Sequence, residues 1–238
     1  MFGIRDLTTF VLIHGGGGSS WCWHLVAPEL RSRGFDVVAP DLPCDDDSAS
    51  LTDYADAVVE AIGERSDLVV VGHSYGGFIA PLVADQLPVR LLVLVSGMIP
   101  VLGETPRDWW DNTGHAQAVQ EQAERDGGKT GSLDPFASFY HDVPRALAEE
   151  AMRRERGESS TAWVSPWPLP AWPNVPTKFV LCKDDRVFPA DFFRRLVPER
   201  LGVTPDEIPG GHYVQLSRPK ELADILMSHL QPSRNPQI

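Results

Sequence analysis

A serine on a tight turn is the residue of this sequence that most clearly suggests chemistry. Residues 72–76 read GHSYG; they follow the apolar run LVVV at 68–71 and precede a helical pattern at 78–87. A turn that joins a strand directly to a helix strains its serine and brings neighbouring chain close, so it favours small flanking residues. Such a turn places the Ser74 hydroxyl at the carboxyl end of a sheet, beside a helix N-terminus that stabilises negative charge. Ser74 is therefore the candidate nucleophile, and an idle serine on a glycine-rich turn is the alternative.

A serine nucleophile needs a base, and the base needs a carboxylate to fix its tautomer. His212 ends the run PGGH at 209–212, a flexible loop after the last predicted strand that can return an imidazole over the sheet. A surface histidine is the alternative. Asp184 and Asp185 follow the strand predicted at 178–182, and either carboxylate could reach the histidine. The order serine, aspartate, histidine is the one that a strand-turn-helix nucleophile requires.

Two backbone amides are candidates for binding a developing oxyanion. Residues 14–18, HGGGG, follow the first predicted strand, and a loop without side chains can turn an amide toward the serine. We expect Gly16 to supply one donor and Tyr75, directly after the serine, to supply the other. The run lacks the G-K-[ST] ending of a phosphate loop and the G-x-G-x-x-G frame. Because Asp41 follows the next strand, a dinucleotide site is a weak alternative.

These residues need a sheet to position them, and the apolar runs predict one. The runs are nearly continuous and rich in Val and Leu, which is typical of parallel strands covered by helices on both faces. A helix is predicted over 51–62, with Ser50 and Asp53 as its capping box and Gly63 as its end. The alternation predicts an α/β fold with right-handed crossovers and a mostly parallel, doubly wound sheet. Its predicted strands are 10–14, 36–40, 68–72, 91–96, 178–182 and, more weakly, 206–208.

One long segment, residues 101–176, interrupts this alternation. It contains no strand candidate, many prolines and five of the seven tryptophans. An insertion of this length in a compact domain is usually functional, most often as a lid over a site. We therefore predict a core of residues 1–100 and 177–238, with the helical lid inserted after the fourth core strand.

The tryptophans of this segment are candidates for substrate contacts. Large rigid rings offer apolar contact area at low entropic cost and help to exclude water. Some of the five are expected to line an acyl or alcohol pocket, and Trp109, Trp163 and Trp167 are the specific candidates; Trp110 and Trp172 are the others. The alternative is a peripheral helical subdomain whose rings pack only its own core.

The composition limits the partners that this chain is expected to have. It has 238 residues, 42% hydrophobic and 23% charged, with a net charge of −12, which argues against nucleic acids and anionic membranes. No apolar run reaches the ~18 residues of a membrane span, and the first ten residues make a poor signal peptide. Three cysteines without a C-x-x-C pair indicate free thiols in a reducing cytosol. We expect a cytoplasmic protein with a small-molecule substrate, no metal and no organic cofactor; a homodimer is left open.

Taken together, these residues resemble an α/β-hydrolase over nearly the whole chain. The sheet matches at residues 10–96 and 177–230, and the lid position matches at 101–176. Within that superfamily the chain is most similar to the plant methylesterase and hydroxynitrile lyase group and its bacterial relatives. The motifs that carry this resemblance are VLIHG at 11–15, WCW at 21–23, GHS at 72–74 and HYVQLSRPKEL at 212–222.

The resemblance implies that Asp185 is the triad aspartate, because Arg186 and Val187 follow it as in the family's acid motif. Two positions depart from the family pattern. The small residues expected after the aspartate-leucine of the second core strand are replaced by PCDDD at 43–47, so that loop is expected to line the pocket differently. The lysine that follows the catalytic histidine in the lyases is Tyr213 here, which removes the cation that would hold cyanide.

The resulting prediction is a serine hydrolase for a small, largely apolar carboxylic ester. Ser74 would attack the carbonyl, His212 would take its proton, Asp185 would orient His212, and the Gly16 and Tyr75 amides would hold the oxyanion. A serine nucleophile argues against dehalogenase and epoxide hydrolase chemistry, for which the resemblance implies an aspartate. Lyase, carbon–carbon hydrolase or perhydrolase chemistry on the same triad is an alternative. So is a ligand-binding receptor with slow turnover.

Overall fold

The fold is built on one six-stranded sheet. The computed structural model describes residues 7–230. Residues 1–6 and 231–238, the outer ends of the predicted core, lie outside it. Residues 1–6 also make up most of the stretch that was expected to be a poor signal peptide. Adjacent strands all pair in parallel, in the order β2-β1-β3-β4-β5-β6. The strands are β1 (Thr9–Ile13), β2 (Asp36–Val38), β3 (Leu68–His73), β4 (Val89–Val95), β5 (Thr177–Cys182) and β6 (Asp206–Ile208).

Each predicted strand is present, with ends that differ by at most two residues. The continuous apolar runs have a simple cause in β3. Its residues Leu68 and Val70 pack into the core on one face of the sheet, while Val69 and Val71 pack into the core on the other face. Because helices cover both faces, neither set of side chains reaches water, and the polar alternation of a half-exposed strand is absent.

The helices lie on both sides of the sheet, which confirms the predicted doubly wound α/β architecture. Helices α2, α3 and α8 pack on one face, and α1 and α10 pack on the other. The helix predicted at 51–62 has those same ends, because Ser50 and Asp53 form a reciprocal capping box and Gly63 ends the helix with a φ of 60°. The helices are α1 (Val26–Ser32), α2 (Leu51–Ile62), α3 (Gly76–Gln86), α4 (Pro106–Asn112), α5 (His115–Asp126), α6 (Arg145–Arg153), α7 (Ser160–Val164), α8 (Ala190–Leu201), α9 (Val214–Ser217) and α10 (Pro219–Ser228), with a 3-10 helix at Ser20–Trp23.

The chain changes direction across the sheet at β1. From β1 it moves outward to β2, and it then returns to place β3 on the opposite side of β1. The loops after β1 and β3 therefore leave the sheet side by side and then separate. In parallel sheets this arrangement opens a crevice at the carboxyl ends of the strands, where ligands commonly bind. The glycine run at 14–18 and Ser74 occupy these two loops.

The segment at 101–176 contains α4, α5, α6 and α7 and no strand. Its large rings do not form a separate core, because Trp109 and Trp167 pack into the same core as Phe78 and Phe188. The division into a core and a lid stays a prediction. Between residues 7 and 230, none of the helices combines the length and apolarity that crossing a membrane requires.

The acidic loop at 43–47 attaches to this segment. The Arg156 guanidinium donates to an Asp45 carboxylate oxygen at 2.8 Å and to the Leu42 carbonyl at 2.8 Å. Nearby, the Ser159 hydroxyl donates to the Ala49 carbonyl at 2.6 Å. Arg156 and Ser159 therefore hold the inserted segment against this loop and the residues on either side of it.

Candidate active site

Ser74 lies on a strained turn between β3 and α3, as the sequence predicts. Its φ of 52° is in the left-handed region, which costs a non-glycine residue on the order of 1–3 kcal/mol. The Ser74 carbonyl stabilises the turn, because it accepts hydrogen bonds from the Gly77 amide at 3.0 Å and the Met98 amide at 2.8 Å. A Cβ on Gly77 would lie 2.0 Å from the Met98 carbonyl oxygen, and one on Gly76 would lie 2.9 Å from that of His14. The expected small residues are required by these close approaches.

Ser74, His212 and Asp185 form a continuous line of hydrogen-bonding atoms. His212 Nε2 lies 3.1 Å from Ser74 Oγ, and His212 Nδ1 lies 2.9 Å from Asp185 Oδ2. The His212 and Asp185 side chains are almost completely buried. The alternative acid, Asp184, is exposed, and its carboxylate accepts from the Gly210 amide at 2.9 Å. Of the two aspartates, Asp185 is the one that the fold brings to the imidazole.

The surroundings of Asp185 keep it ionised. Burial alone would raise the pKa of this carboxyl, but the His212 imidazole and the Val187 and Phe188 amides more than offset burial and hold the pKa below its usual range. The two amides donate to Asp185 Oδ1 at 2.8 and 2.9 Å. Since a carboxylate only accepts, His212 Nδ1 carries the proton and Nε2 presents its lone pair to the Ser74 hydroxyl. This arrangement can remove a proton from Ser74.

The glycine run passes beside Ser74 and leaves two amides free. A Cβ on Gly15 would lie 2.9 Å from the Ser74 Cβ, and one on Gly16 would lie 3.4 Å from the Tyr75 Cβ. Neither the Gly16 amide nor the Tyr75 amide donates a hydrogen bond to any residue between 7 and 230. Two unpaired N–H groups next to a serine hydroxyl can stabilise negative charge on a substrate oxygen.

A second histidine, His73, supports the first, and the sequence analysis did not assign it a role. Its Nε2–H donates to the His212 carbonyl at 2.9 Å, and its Nδ1 accepts from the Gln215 amide at 3.3 Å. Burial lowers the pKa of His73 to about 3, so the ring is neutral. The available signal was a histidine at the end of a fully buried strand, where an imidazole must find hydrogen-bond partners within the protein.

A cavity of about 470 Å³ opens over Ser74. This volume is in the range of small-molecule sites. Most of its side chains are apolar. The loop at 43–47 does not line it. The residues around the cavity are Gly16, Ser74, Tyr75, Met98, Trp110, Phe139, Glu158, Ser160, Trp163, Val187 and Phe188.

The tryptophan prediction is wrong for Trp109 and Trp167. Trp163 lines the cavity, but Trp109 is fully buried and its indole N–H donates to the Ile99 carbonyl at 3.0 Å. Trp167 is 1% exposed and donates to the Phe78 carbonyl at 3.2 Å. Both rings pack into the protein core, which is the alternative to a lining role. That core is shared with the sheet and is not a separate core of the inserted segment.

Trp110, and not the specific candidate Trp109, lines the cavity. Successive residues on α4 are separated by about 100° around the helix axis, so Trp109 and Trp110 cannot both face the same side. Trp110 lines the cavity and Trp109 faces the core. Tyr213, at the position of the lyase lysine, stacks on Tyr140 with ring centroids 4.5 Å apart and does not line the cavity.

Glu158 is the residue on the cavity that the sequence analysis missed most completely. Its Oε2 accepts from the Gly17 amide at 3.0 Å, and its Oε1 accepts from the Tyr54 hydroxyl at 3.3 Å. A Cβ on Gly16 would lie 2.8 Å from Oε2, so the carboxyl lies against the glycine loop. No motif surrounds Glu158 in the sequence. Nothing local marked it.

The fold and the arrangement of Ser74, His212 and Asp185 are typical of hydrolases, and comparison with known proteins points to the same class. The chain belongs to the alpha/beta hydrolase family, whose model matches residues 10–225. Norfluorocurarine synthase 1 from a Strychnos species is 25% identical over 249 residues, which cover 91% of this chain and 93% of that protein. Methylesterase 2 of Arabidopsis thaliana is 24% identical over 250 residues, covering 92% and 94%. The resemblance to the plant methylesterases is confirmed.

Solved structures show the same fold. The crystal structure of polyneuridine aldehyde esterase matches with a TM-score of 0.77 at 21% identity, covering 94% of this chain and 100% of that one. A pyrethroid hydrolase from Sphingobium faniae JZ-2 matches with a TM-score of 0.73 at 22% identity, covering 93% and 96%. The chain is therefore similar in fold to polyneuridine aldehyde esterase and to a pyrethroid hydrolase from Sphingobium faniae JZ-2.

Proposed function

We propose that this protein is a serine esterase that hydrolyses a small, largely apolar carboxylic ester. The observation that carries the proposal is the line of hydrogen bonds from Ser74 Oγ through His212 to the buried Asp185, at 3.1 and 2.9 Å. Its opening onto a largely apolar cavity supports an apolar substrate. The esterases among its relatives support ester cleavage over the other reactions of the superfamily.

The proposed reaction has two halves that use the same groups. Ser74 Oγ attacks the ester carbonyl carbon while His212 Nε2 takes the hydroxyl proton, and Asp185 stabilises the imidazolium. The oxyanion accepts hydrogen bonds from the Gly16 and Tyr75 amides. His212 then returns the proton to the departing alcohol, which leaves an acyl group on Ser74. Water, activated by His212, attacks the acyl group and releases the acid.

The first experiment tests the nucleophile. We expect a fluorophosphonate probe to label the wild-type protein at Ser74 and ester hydrolysis to fall by about 10⁴-fold or more in kcat in Ser74→Ala, because the three residues act as a unit. Ser160→Ala is a matched control, since Ser160 lines the same cavity but its hydroxyl has no hydrogen bond to a histidine among residues 7–230.

The substrates are a panel of methyl, aryl and thioesters together with cyanohydrins. Residual hydrolysis above a tenth of the wild-type rate in Ser74→Ala, with contaminating esterase excluded, would overturn the assignment of Ser74. Cleavage of cyanohydrins without hydrolysis of any ester would replace the esterase by a lyase. Saturable binding of a panel member with neither labelling nor turnover would indicate a receptor.

A further inference from the structure

Within the described part of the chain, the carboxyl group of Glu158 has no positively charged hydrogen-bond partner. Its hydrogen-bond donors within residues 7–230 are the Gly17 amide and the Tyr54 hydroxyl, and both are uncharged. The nearest cation along the chain, Arg156, directs its guanidinium to Asp45 instead. Glu158 is also the one carboxyl among the residues that line the cavity over Ser74.

An unpaired carboxylate in an apolar cavity is an unfavourable arrangement. Burial raises the pKa of Glu158, and the Gly17 and Tyr54 hydrogen bonds offset this only in part. A positive charge within a few ångströms would favour the ionised form. No described side chain supplies that charge, so a ligand in the cavity is the available source.

Tyr75, another residue of the cavity, does not provide a hydrogen bond to Glu158 either. Tyr75 is 3% exposed, and its hydroxyl has no hydrogen bond to any residue between 7 and 230. Because this hydroxyl is buried and not bonded to Glu158, it adds no donor to the two uncharged ones that the carboxyl already has. Its ring is stacked near that of Trp163, with centroids 6.4 Å apart and planes 20° apart. Both residues line the cavity, and Trp163 is the more exposed of the two.

A carboxylate together with aromatic rings is a common receptor for a substituted ammonium group, through ion pairing and cation–π attraction. Building on the proposed esterase function, we propose that the preferred substrate carries a protonated amino group, which donates to Glu158 and lies against the ring of Trp163. The Glu158 carboxyl lies against Gly16, where the ester oxygen is expected. The amino group and the ester must therefore be joined by a short spacer.

This arrangement also has a consequence for the reaction. A negative charge beside the glycine loop opposes the negative charge that develops on the substrate oxygen. A cationic substrate neutralises Glu158 before the oxyanion forms, whereas a neutral substrate leaves the opposing charge in place. The preference for a cationic ester should therefore appear in kcat/KM.

Two pairs of esters test the proposal, each with one nitrogen replaced by carbon. Methyl 4-(dimethylamino)butanoate is compared with methyl 5-methylhexanoate, which tests an amine in the acyl group. The 2-(dimethylamino)ethyl and 3-methylbutyl esters of one acid test an amine in the alcohol. We expect the cationic member of at least one pair to be preferred by about tenfold or more in kcat/KM at neutral pH.

The variant Glu158→Gln keeps the shape of the side chain and removes its charge. It should reduce the ratio of kcat/KM between the two members of the preferred pair by about tenfold, and this ratio does not depend on the fraction of correctly folded enzyme. Glu64→Gln, at an exposed position just after α2, makes the same change in net charge and should leave the ratio unaltered.

The outcomes separate the two proposals. If both pairs show equal efficiencies, or if Glu158→Gln leaves the ratio unaltered while Ser74→Ala abolishes hydrolysis, the amine site is refuted and the esterase stands. If no ester is hydrolysed at Ser74, the esterase is refuted. The amine site is then decided by quenching of tryptophan fluorescence with benzyldimethylamine: binding weakened about tenfold in Glu158→Gln supports it, and absence of binding refutes it.

Discussion

The buried imidazole of His73 makes the stability of this protein sensitive to acid. His73 is 1% exposed, at the end of β3, and both of its ring nitrogens are occupied by His212 and Gln215. Burial, followed by the neighbouring His212 ring, lowers the pKa of His73 to about 3. An unfolded histidine has a pKa of about 6.5. Between these two values the unfolded chain binds a proton that the native protein does not.

The sign and size of the effect follow from this difference in proton binding. The stabilising contribution of neutral His73 is fully present above about pH 6.5, and it is lost progressively as the pH falls toward about 3. At pH 5 this one group lowers the free energy of unfolding by about 2 kcal/mol relative to pH 8. Burial also lowers the pKa of His14, so the whole protein should lose more stability than His73 alone accounts for.

Urea unfolding at pH 8 and pH 5, in wild type and His73→Gln, isolates the contribution of His73. Glutamine does not titrate, and its amide can donate to the His212 carbonyl. We expect the loss of stability between pH 8 and pH 5 to be about 2 kcal/mol smaller in the variant than in wild type. His73→Asn, whose amide is one methylene shorter, should be less stable at both pH values but show the same reduced dependence on pH. If both variants lose as much stability as wild type, His73 is not held neutral by burial and the reasoning fails.

Two further predictions concern the acid and the cavity. Asp185→Asn should lower kcat for ester hydrolysis by about 10⁴-fold, because an amide favours the wrong His212 tautomer, whereas the exposed Asp184→Asn should lower it far less; the opposite ranking would reassign the acid. Trp163→Ala should alter the ranking of esters in kcat/KM with little change in Tm, whereas Trp109→Ala should lower the free energy of unfolding by about 3–5 kcal/mol, measured by urea unfolding. A changed ranking in Trp109→Ala alone would contradict the assignment of the cavity.

The parts of the fold that the sequence predicted well are those with local causes. The ends of the helix at 51–62 follow from a capping box and a glycine within the same stretch of chain. The strands follow from apolar runs, because burial on both faces leaves no polar position. The serine turn follows from glycines whose Cβ atoms would collide with neighbouring backbone. In each case the signal lies within a few residues of the structure that it predicts.

The features that the sequence did not predict depend on contacts between distant segments. Trp109 and Trp110 are adjacent, and only the orientation of α4 on the sheet decides which ring faces the core. Glu158 reaches its amide partner, Gly17, across 141 residues of sequence, and no pattern around either residue indicates the pairing. The sequence pattern places His73 beside the serine turn, but it does not identify His212 and Gln215 as the partners of this buried imidazole.

The glycine loop connects what the sequence predicted with what it missed. Access of a backbone amide to the substrate oxygen accounts for only part of the need for glycine at position 16. A Cβ at Gly16 would lie 2.8 Å from Glu158 Oε2, so the same missing side chain also makes room for a carboxyl group. Any larger residue at position 16 would displace Glu158 even if its amide kept its direction. The Gly16 amide, which we propose as an oxyanion donor, and the Glu158 carboxyl group are therefore linked through one backbone position, and the substrate preference of this site should depend on that loop as much as on its aromatic rings.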